Sequence, residues 1–218
     1  MDAVLCLGRQ DGAAGEQADQ PNQHMARTYE PRRQQPQRAG ASVAEAQESS
    51  HTAAMLARVT ATDSRLPQAG QPAPDFTLPS TDDRDVSLSE FKGKQAVVLY
   101  FYPRDDTPGC TAEACSFRDL RTLFNANGAE ILGISTDTVK SHKKFREKFH
   151  LTFPLLADAD HAVADQYGVW QQKKFMGRQF MGIARTTFVI DTQGTIKAVF
   201  PNVKVEGHAD KVLQAVKS

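Results

Sequence analysis

Ala96-Val97-Val98-Leu99-Tyr100-Phe101-Tyr102-Pro103-Arg104-Asp105-Asp106-Thr107-Pro108-Gly109-Cys110-Thr111-Ala112-Glu113-Ala114-Cys115 joins an apolar, β-rich run to a Pro/Asp/Gly-rich loop and then to two cysteines. The run Ala96 to Tyr102 has strand length and is apolar throughout, the pattern of a strand covered on both faces. Ala114, Phe117, Leu120, Leu123 and Phe124 fall at helical spacing, which predicts a helix over Thr111 to Asn125, stopped by Asn127-Gly128. Cys110 then stands where that helix begins. A thiol there meets the positive end of the helix dipole, which stabilises its thiolate. Cys115 supplies a nearby thiol able to capture an oxidised sulfur.

On the N-terminal side, Asp75 to Leu78 and Asp85 to Leu88 read as short strands around the turn Ser80 to Arg84. Ser87-Leu88-Ser89-Glu90 has capping-box spacing. On the C-terminal side, Glu130 to Ser135 and Phe153 to Ala157 read as strands. Thr138 to Phe149 reads as a basic amphipathic helix with Val139, Phe145 and Phe149 on its apolar side. His161 to Tyr167 is a helix closed by Gly168, and Gln171-Gln172 fall in a lid-like loop. Thr186 to Ile190 and Thr195 to Phe200 form a hairpin around Asp191 to Gly194, and His208 to Lys217 is a terminal helix. This order implies an α/β fold with a mixed central sheet flanked by helices on both faces.

The 218 residues carry 26 Lys plus Arg and 26 Asp plus Glu, a formal net charge of zero. That balance gives no support for nucleic acid or an anionic membrane as a partner. Three cysteines are too few for a disulfide scaffold, and no apolar run approaches the ~20 residues that span a bilayer. The expectation is a cytoplasmic, reducing compartment. Composition changes near Pro67: before it Gln, Ala, Arg, Ser and Glu dominate, too polar to offset the entropy of ordering. Residues 1–66 are therefore expected to be a disordered or leader-like extension, with Met25 and Met55 as alternative starts and a weak helix at Ala53 to Val59. Cys6 is expected to be an exposed spectator thiol. Residues 67–218 are the globular domain.

An unperturbed thiol of pKa ~8.5 is only about 3% ionised at pH 7, and lowering it to ~6 gains about thirtyfold in thiolate. Part of that gain is lost because nucleophilicity falls with pKa. Fast reaction with a peroxide also needs orientation and stabilisation of charge on oxygen. Thr107, three residues before Cys110, is the candidate for orientation, because a hydroxyl both donates and accepts. Arg185, just before a strand, is the candidate cation, because guanidinium stays charged and offers fixed donors. It is weighed against an ordinary surface strand-entry residue. On an intact helix a five-residue offset separates Cα atoms by about 8.6 Å, beyond the ~7 Å a disulfide tolerates. Joining Cys110 to Cys115 therefore requires the first turns to unwind, with Glu113 and Ala114 leaving the helix. The alternative is that Cys115 is a small, packed, inert residue.

Other polar residues read as bland. His142, His150, His161 and His208 form no ligand motif with the cysteines. Lys140, Lys143, Lys144, Arg146 and Lys148 read as a solvated helix face. Asp105 and Asp106 read as turn-shaping residues bonded to backbone. Trp170, Phe175, Met176, Phe180 and Met181 either cover the site or pack around the loop.

These residues resemble the peroxiredoxins. Pro103 to Cys110 fits the pattern Pro-x-x-x-Thr-x-x-Cys, and the fuller run is similar to the bacterioferritin comigratory protein, or peroxiredoxin Q, subfamily. Pro74 to Leu78, Phe175 to Arg178, Gly182 to Arg185 and Val205 to His208 extend the match over about residues 67–218. The resemblance implies a thioredoxin-like fold and a thiol-dependent peroxidase acting on hydrogen peroxide and organic hydroperoxides. By motif position Cys110 is the peroxidatic cysteine, Thr107 and Arg185 activate it, and Pro103 shields the pocket. Cys115 matches the resolving cysteine of many, though not all, members. The implied cycle needs a thioredoxin-like reductant and no metal, flavin or haem, and the protein is expected to be a monomer or weak dimer. Three rivals stand beside it: a peroxidase using Cys110 alone, a redox sensor, and a thioredoxin-type oxidoreductase. The last expects a Cys-x-x-Cys pair, which this chain lacks. The long N-terminal stretch and Gln171-Gln172 depart from the subfamily pattern.

Overall fold

Nine strands and five helices follow one another in the computed structural model, which describes residues 66–175 and 177–218. They are β1 (Thr77–Pro79), β2 (Asp85–Ser87), β3 (Ala96–Phe101), α1 (Pro108–Asp119), α2 (Arg121–Ala126), β4 (Ala129–Ser135), α3 (Val139–Lys148) and β5 (Leu155–Ala157). Then come α4 (Ala162–Gln166), β6 (Trp170–Phe175), β7 (Arg178–Ile183), β8 (Thr186–Ile190), β9 (Ile196–Phe200) and α5 (His208–Lys217). The expected helix at 53–59 and Cys6 lie outside the described residues. Leu66, at the end of the expected extension, packs into the core.

The apolar run is the middle strand of a five-stranded sheet ordered β5-β4-β3-β8-β9. It runs parallel to β4 and antiparallel to β8, so the sheet is mixed. Side chains alternate along a strand, and β3 feeds two cores in turn. Val97, Leu99 and Phe101 pack with Phe76, Val86 and Leu88, with Val163 and Ala164 of α4, and with Tyr167 at its C-cap. Val98 and Tyr100 pack with Cys110, Ala114 and Phe117 of α1, Phe124 of α2, Phe145 of α3 and Val212 and Leu213 of α5. Helices thus cover both faces, and the fold is the thioredoxin-like α/β arrangement. On the α4 face the β1–β2 hairpin and a 3-10 turn at Leu88–Phe91 complete the cover, the turn closed by the Ser87/Glu90 capping box. No helix among the described residues is long and apolar enough to cross a membrane.

Two elements differ from the sequence reading. The helix expected over Thr111 to Asn125 begins earlier, at Pro108, and is two helices parted at Leu120, where φ is −94° and ψ is 3°. Proline suits the first position, where its missing N–H would have no partner in the helix. Apolar spacing records which side chains are buried; it does not register one residue that leaves helical geometry. Phe117 and Phe124 are fully buried, but Leu123 is 46% exposed. The lid-like loop is the antiparallel β6–β7 hairpin, with Phe175 paired to Arg178 across a turn at Gly177, φ 78°. That glycine in left-handed geometry was the legible hairpin signal.

Gly133 on β4 shows how tightly the sheet meets α1's face. A Cβ there would stand 2.7 Å from Tyr100 Cζ and 2.8 Å from Leu155 Cδ2. Gly133→Ala should cost about 1–3 kcal/mol through overpacking, read as a lower denaturant midpoint at unchanged slope. Wild-type stability would contradict this packing.

Candidate active site

β3 ends at Phe101, opposite Thr186 at the start of β8. This pairing brings the loop after β3 and the residue before β8 to the same end of the sheet. Thr107 is the N-cap of α1 with an extended backbone, so Cys110 lies in the first helical turn, 2% exposed and with a free thiol. Arg185 reaches across from β8's entrance, and its Nη2 donates to Cys110 Sγ at 3.1 Å. Val203 N donates to the Arg185 carbonyl at 3.0 Å and fixes its backbone. The candidate cation is thus beside the cysteine and not on the surface. A Cβ at Gly109 would meet Arg185 Nη2 at 3.4 Å, an ordinary contact.

Glu113 is a site residue that the sequence reading missed. It lies three residues after Cys110, hence on the same helix face, and is only 1% exposed. Arg185 Nη1 donates to its Oε2, while its buried Oε1 makes no hydrogen bond with a described residue. One guanidinium therefore spans the sulfur and a carboxyl. Burial pushes the Glu113 carboxyl up to about 7, against the opposing pull of Arg185. The available signal was Glu113's place in the stripe Cys110, Ala114, Phe117 that faces the sheet.

Thr107 and Pro103 border the same turn. Thr107 Oγ1 donates to the Arg104 carbonyl at 3.2 Å, a bond within the loop. Its oxygen lone pairs can still accept. Cys115 lies on α1 about 1.4 turns beyond Cys110, 4% exposed among Ala114, Phe117 and Tyr100. With α1 wound across both cysteines, the ideal-helix separation of about 8.6 Å applies.

The surroundings are cationic. Lys173 of β6 donates to the Ile183 carbonyl, and burial lowers its ammonium, with Arg185 pushing the same way and Cys110 opposing. Phe180 and Met181 of β7 are each 49% exposed, so they do not seal the cysteine. Trp170 stacks on His161 at 4.4 Å. Gln171 and Gln172 bond to Gly168 and Gln179 within this region. His208 at the start of α5 is bonded to Thr187 Oγ1 at 2.8 Å; burial, Lys211 and Arg185 push it down to about 4. Among the described residues no cluster of three or more His, Cys, Asp or Glu is placed to hold a metal. The basic face of α3 is only partly free: Lys143, Arg146 and Lys148 pair with Asp83, Asp82 and Asp106.

Residues 69–199 match the AhpC/TSA family. The chain is 51% identical to the putative peroxiredoxin bcp of Coxiella burnetii, over 67% of this chain and 96% of that protein. It is 46% identical to peroxiredoxin Bcp of Escherichia coli strain K12, over 69% and 96% respectively. Among solved structures, Xanthomonas campestris peroxiredoxin Q superposes with a TM-score of 0.64 at 39% identity, covering 68% of this chain and 96% of that one. Another structure from that organism, at 38% identity and TM-score 0.64 over 68% and 97%, is described for the alkyl peroxide reduction activity of its bacterioferritin comigratory protein.

Glu113 generates a pH signature. Its folded value of about 7 lies above the ordinary carboxyl value of 4.5. A carboxyl raised on folding contributes stability that is full below about pH 4.5 and is lost as pH rises through about 7. Glu113→Gln should therefore gain stability relative to wild type across that window, read from urea midpoints. A constant difference between the two proteins would contradict the assignment.

Proposed function

The chain belongs to the AhpC/TSA family and is a thiol-dependent peroxidase of the Bcp, or peroxiredoxin Q, kind, and from that premise we propose that Cys110 is its peroxidatic cysteine, supported by Arg185 and Thr107. The observation that carries the assignment is the Arg185 Nη2–Cys110 Sγ contact of 3.1 Å at a helix N-terminus. Both the guanidinium and the helix end favour a negative sulfur and a negative oxygen beside it. Pro103, partly buried two residues past the end of β3, shields the approach.

The Cys110 thiolate attacks the nearer oxygen of a hydroperoxide, R–O–O–H. The S–O bond forms as the O–O bond breaks, and the departing alkoxide takes a proton to leave as alcohol, or as water when R is hydrogen. Cys110 becomes a sulfenic acid. Arg185 offers N–H donors to the charge that develops on oxygen, and Thr107 holds the peroxide by accepting its proton in a hydrogen bond. Hydrogen peroxide and organic, including alkyl, hydroperoxides are the substrates on this reading.

We assign resolution to Cys115, whose thiolate displaces hydroxide from the Cys110 sulfenic sulfur, water leaving as the disulfide forms. Since a wound α1 holds the two Cα atoms too far apart, its first turns open at this step. A thioredoxin-like dithiol then reduces the disulfide by exchange and is itself oxidised. A monomer or weak dimer working in the cytoplasm completes the reading. It draws support from three cysteines, too few for a structural disulfide framework. The N-terminal 1–66 stretch is assigned no part in the chemistry.

Peroxide consumption with a thioredoxin system should disappear in Cys110→Ser. Cys115→Ser should retain a single turnover and lose most of the cycling, and intact mass after one equivalent of peroxide should show a Cys110–Cys115 bond only in wild type. Full activity of Cys110→Ser would remove the assignment. A lasting Cys110 adduct without that bond in wild type would make the protein a one-cysteine peroxidase, and reaction without turnover would make it a sensor.

A further inference from the structure

We propose that His142 is a positioning residue for the peroxide step: as a buried imidazolium it holds the Asp105 carboxylate, and through it the loop that presents Cys110. The inference rests on the reading of Cys110 given above and goes beyond it, because His142 touches neither the sulfur nor its partners.

His142 lies on α3 and is fully buried. Its Nε2 is 3.1 Å from the Leu156 carbonyl oxygen of β5. A carbonyl only accepts, so Nε2 carries a hydrogen. Its Nδ1 is 3.0 Å and 2.9 Å from the two oxygens of Asp105. Those oxygens also accept from Tyr102 OH at 2.8 Å and Ser141 Oγ at 2.7 Å. Burial by itself would raise the Asp105 carboxyl. Hydrogen bonds from His142, Ser141 and Tyr102, with the charge of His142, outweigh burial and hold it below the ordinary carboxylate range. With a carboxylate on one side and a carbonyl on the other, both ring nitrogens donate, and a ring with two N–H groups is a cation. His208, the other fully described buried histidine, is the contrast: it faces a hydroxyl and the positive Lys211 and Arg185.

The pair grips the loop that feeds α1. Asp105 N donates to Asp137 Oδ2 at 2.8 Å, and Ser135 Oγ donates to the same oxygen at 2.8 Å. The next residue, Asp106, is in left-handed geometry at φ 53° and accepts from Lys148 Nζ at 2.8 Å and 2.9 Å. Asp105 and Asp106 are therefore both tied to α3, immediately before the N-cap Thr107. Every one of these bonds lies outside α1. The loop is thus fixed independently of the helix, and it keeps its place when the first turns of α1 open. Reaction at Cys110 depends on where this loop places Thr107 and the helix start, and a misplacement of about 1 Å can cost about a hundredfold in rate.

Two measurements test this on the full-length protein. In nitrogen-15 spectra of the reduced wild type at assay pH, His142 should show protons on both ring nitrogens and His208 on one. A bare nitrogen on His142 overturns the proposal. In thioredoxin-coupled turnover, His142→Gln and Asp105→Asn should each lower kcat/KM for hydrogen peroxide by about tenfold or more, with kcat/KM for the thioredoxin donor unchanged. Equal loss in both constants is the mark of a smaller folded fraction, and it overturns the proposal, as does no loss in either. If neither variant folds, the wild-type spectra decide alone. Activity of Cys110→Ser would instead defeat the underlying reading, whatever His142 shows.

Discussion

One guanidinium joins parts of the chain that are 72 and 75 residues apart: Arg185 bonds to Glu113 and to Cys110. The contact exists only because β3 and β8 are antiparallel neighbours, so that the end of one strand meets the start of the other. It also explains how a carboxyl 1% exposed can sit on the sheet-facing side of α1. A buried carboxyl without a partner costs several kcal/mol, and Arg185 offsets that cost while turning its other nitrogen to the sulfur. On the proposed reading, folding and chemistry therefore share one guanidinium.

Two sets of bonds hold the cysteine from opposite sides. Arg185 fixes it from the sheet, while Asp105, His142 and Asp137 fix the loop before it from α3 and the end of β4. Between them runs only the first part of α1, entered through Thr107 and Pro108. That division suits a cycle in which one segment moves and its flanks stay. On the proposed cycle the helix turns between the two cysteines open, while the loop stays on α3 and Arg185 stays on the strand entry. Opening would carry Glu113 away from Arg185, which makes the ion pair part of what holds the closed form.

Much of this was legible in the residues. The strand Ala96 to Phe101, the capping box at Ser87 and Glu90, and the hairpin around Asp191 to Gly194 follow from apolar pattern and turn chemistry, which are local. Cys110 at a helix start was legible for the same reason. Arg185 was legible only as a candidate, because its partner is set by strand pairing across the sheet. Glu113 and His142 were hidden by their residue types. Each is a polar side chain in a helix, yet each is buried because a charged partner from elsewhere in the chain meets it. Asp105 read as a turn-former bonded to backbone; its carboxylate instead binds side chains, because α3 crosses directly beside the loop. The β6–β7 hairpin was missed because neither strand alternates polar and apolar residues.

The account stands on the guanidinium acting at the sulfur. The direct measurement is the single-turnover rate of hydrogen peroxide with reduced Arg185→Lys, against wild type, by rapid mixing. Lysine keeps a charge but loses the fork that spans sulfur and carboxylate, so a slowing of about a hundredfold or more is predicted. A rate equal to wild type, in a variant that remains folded, would contradict the account.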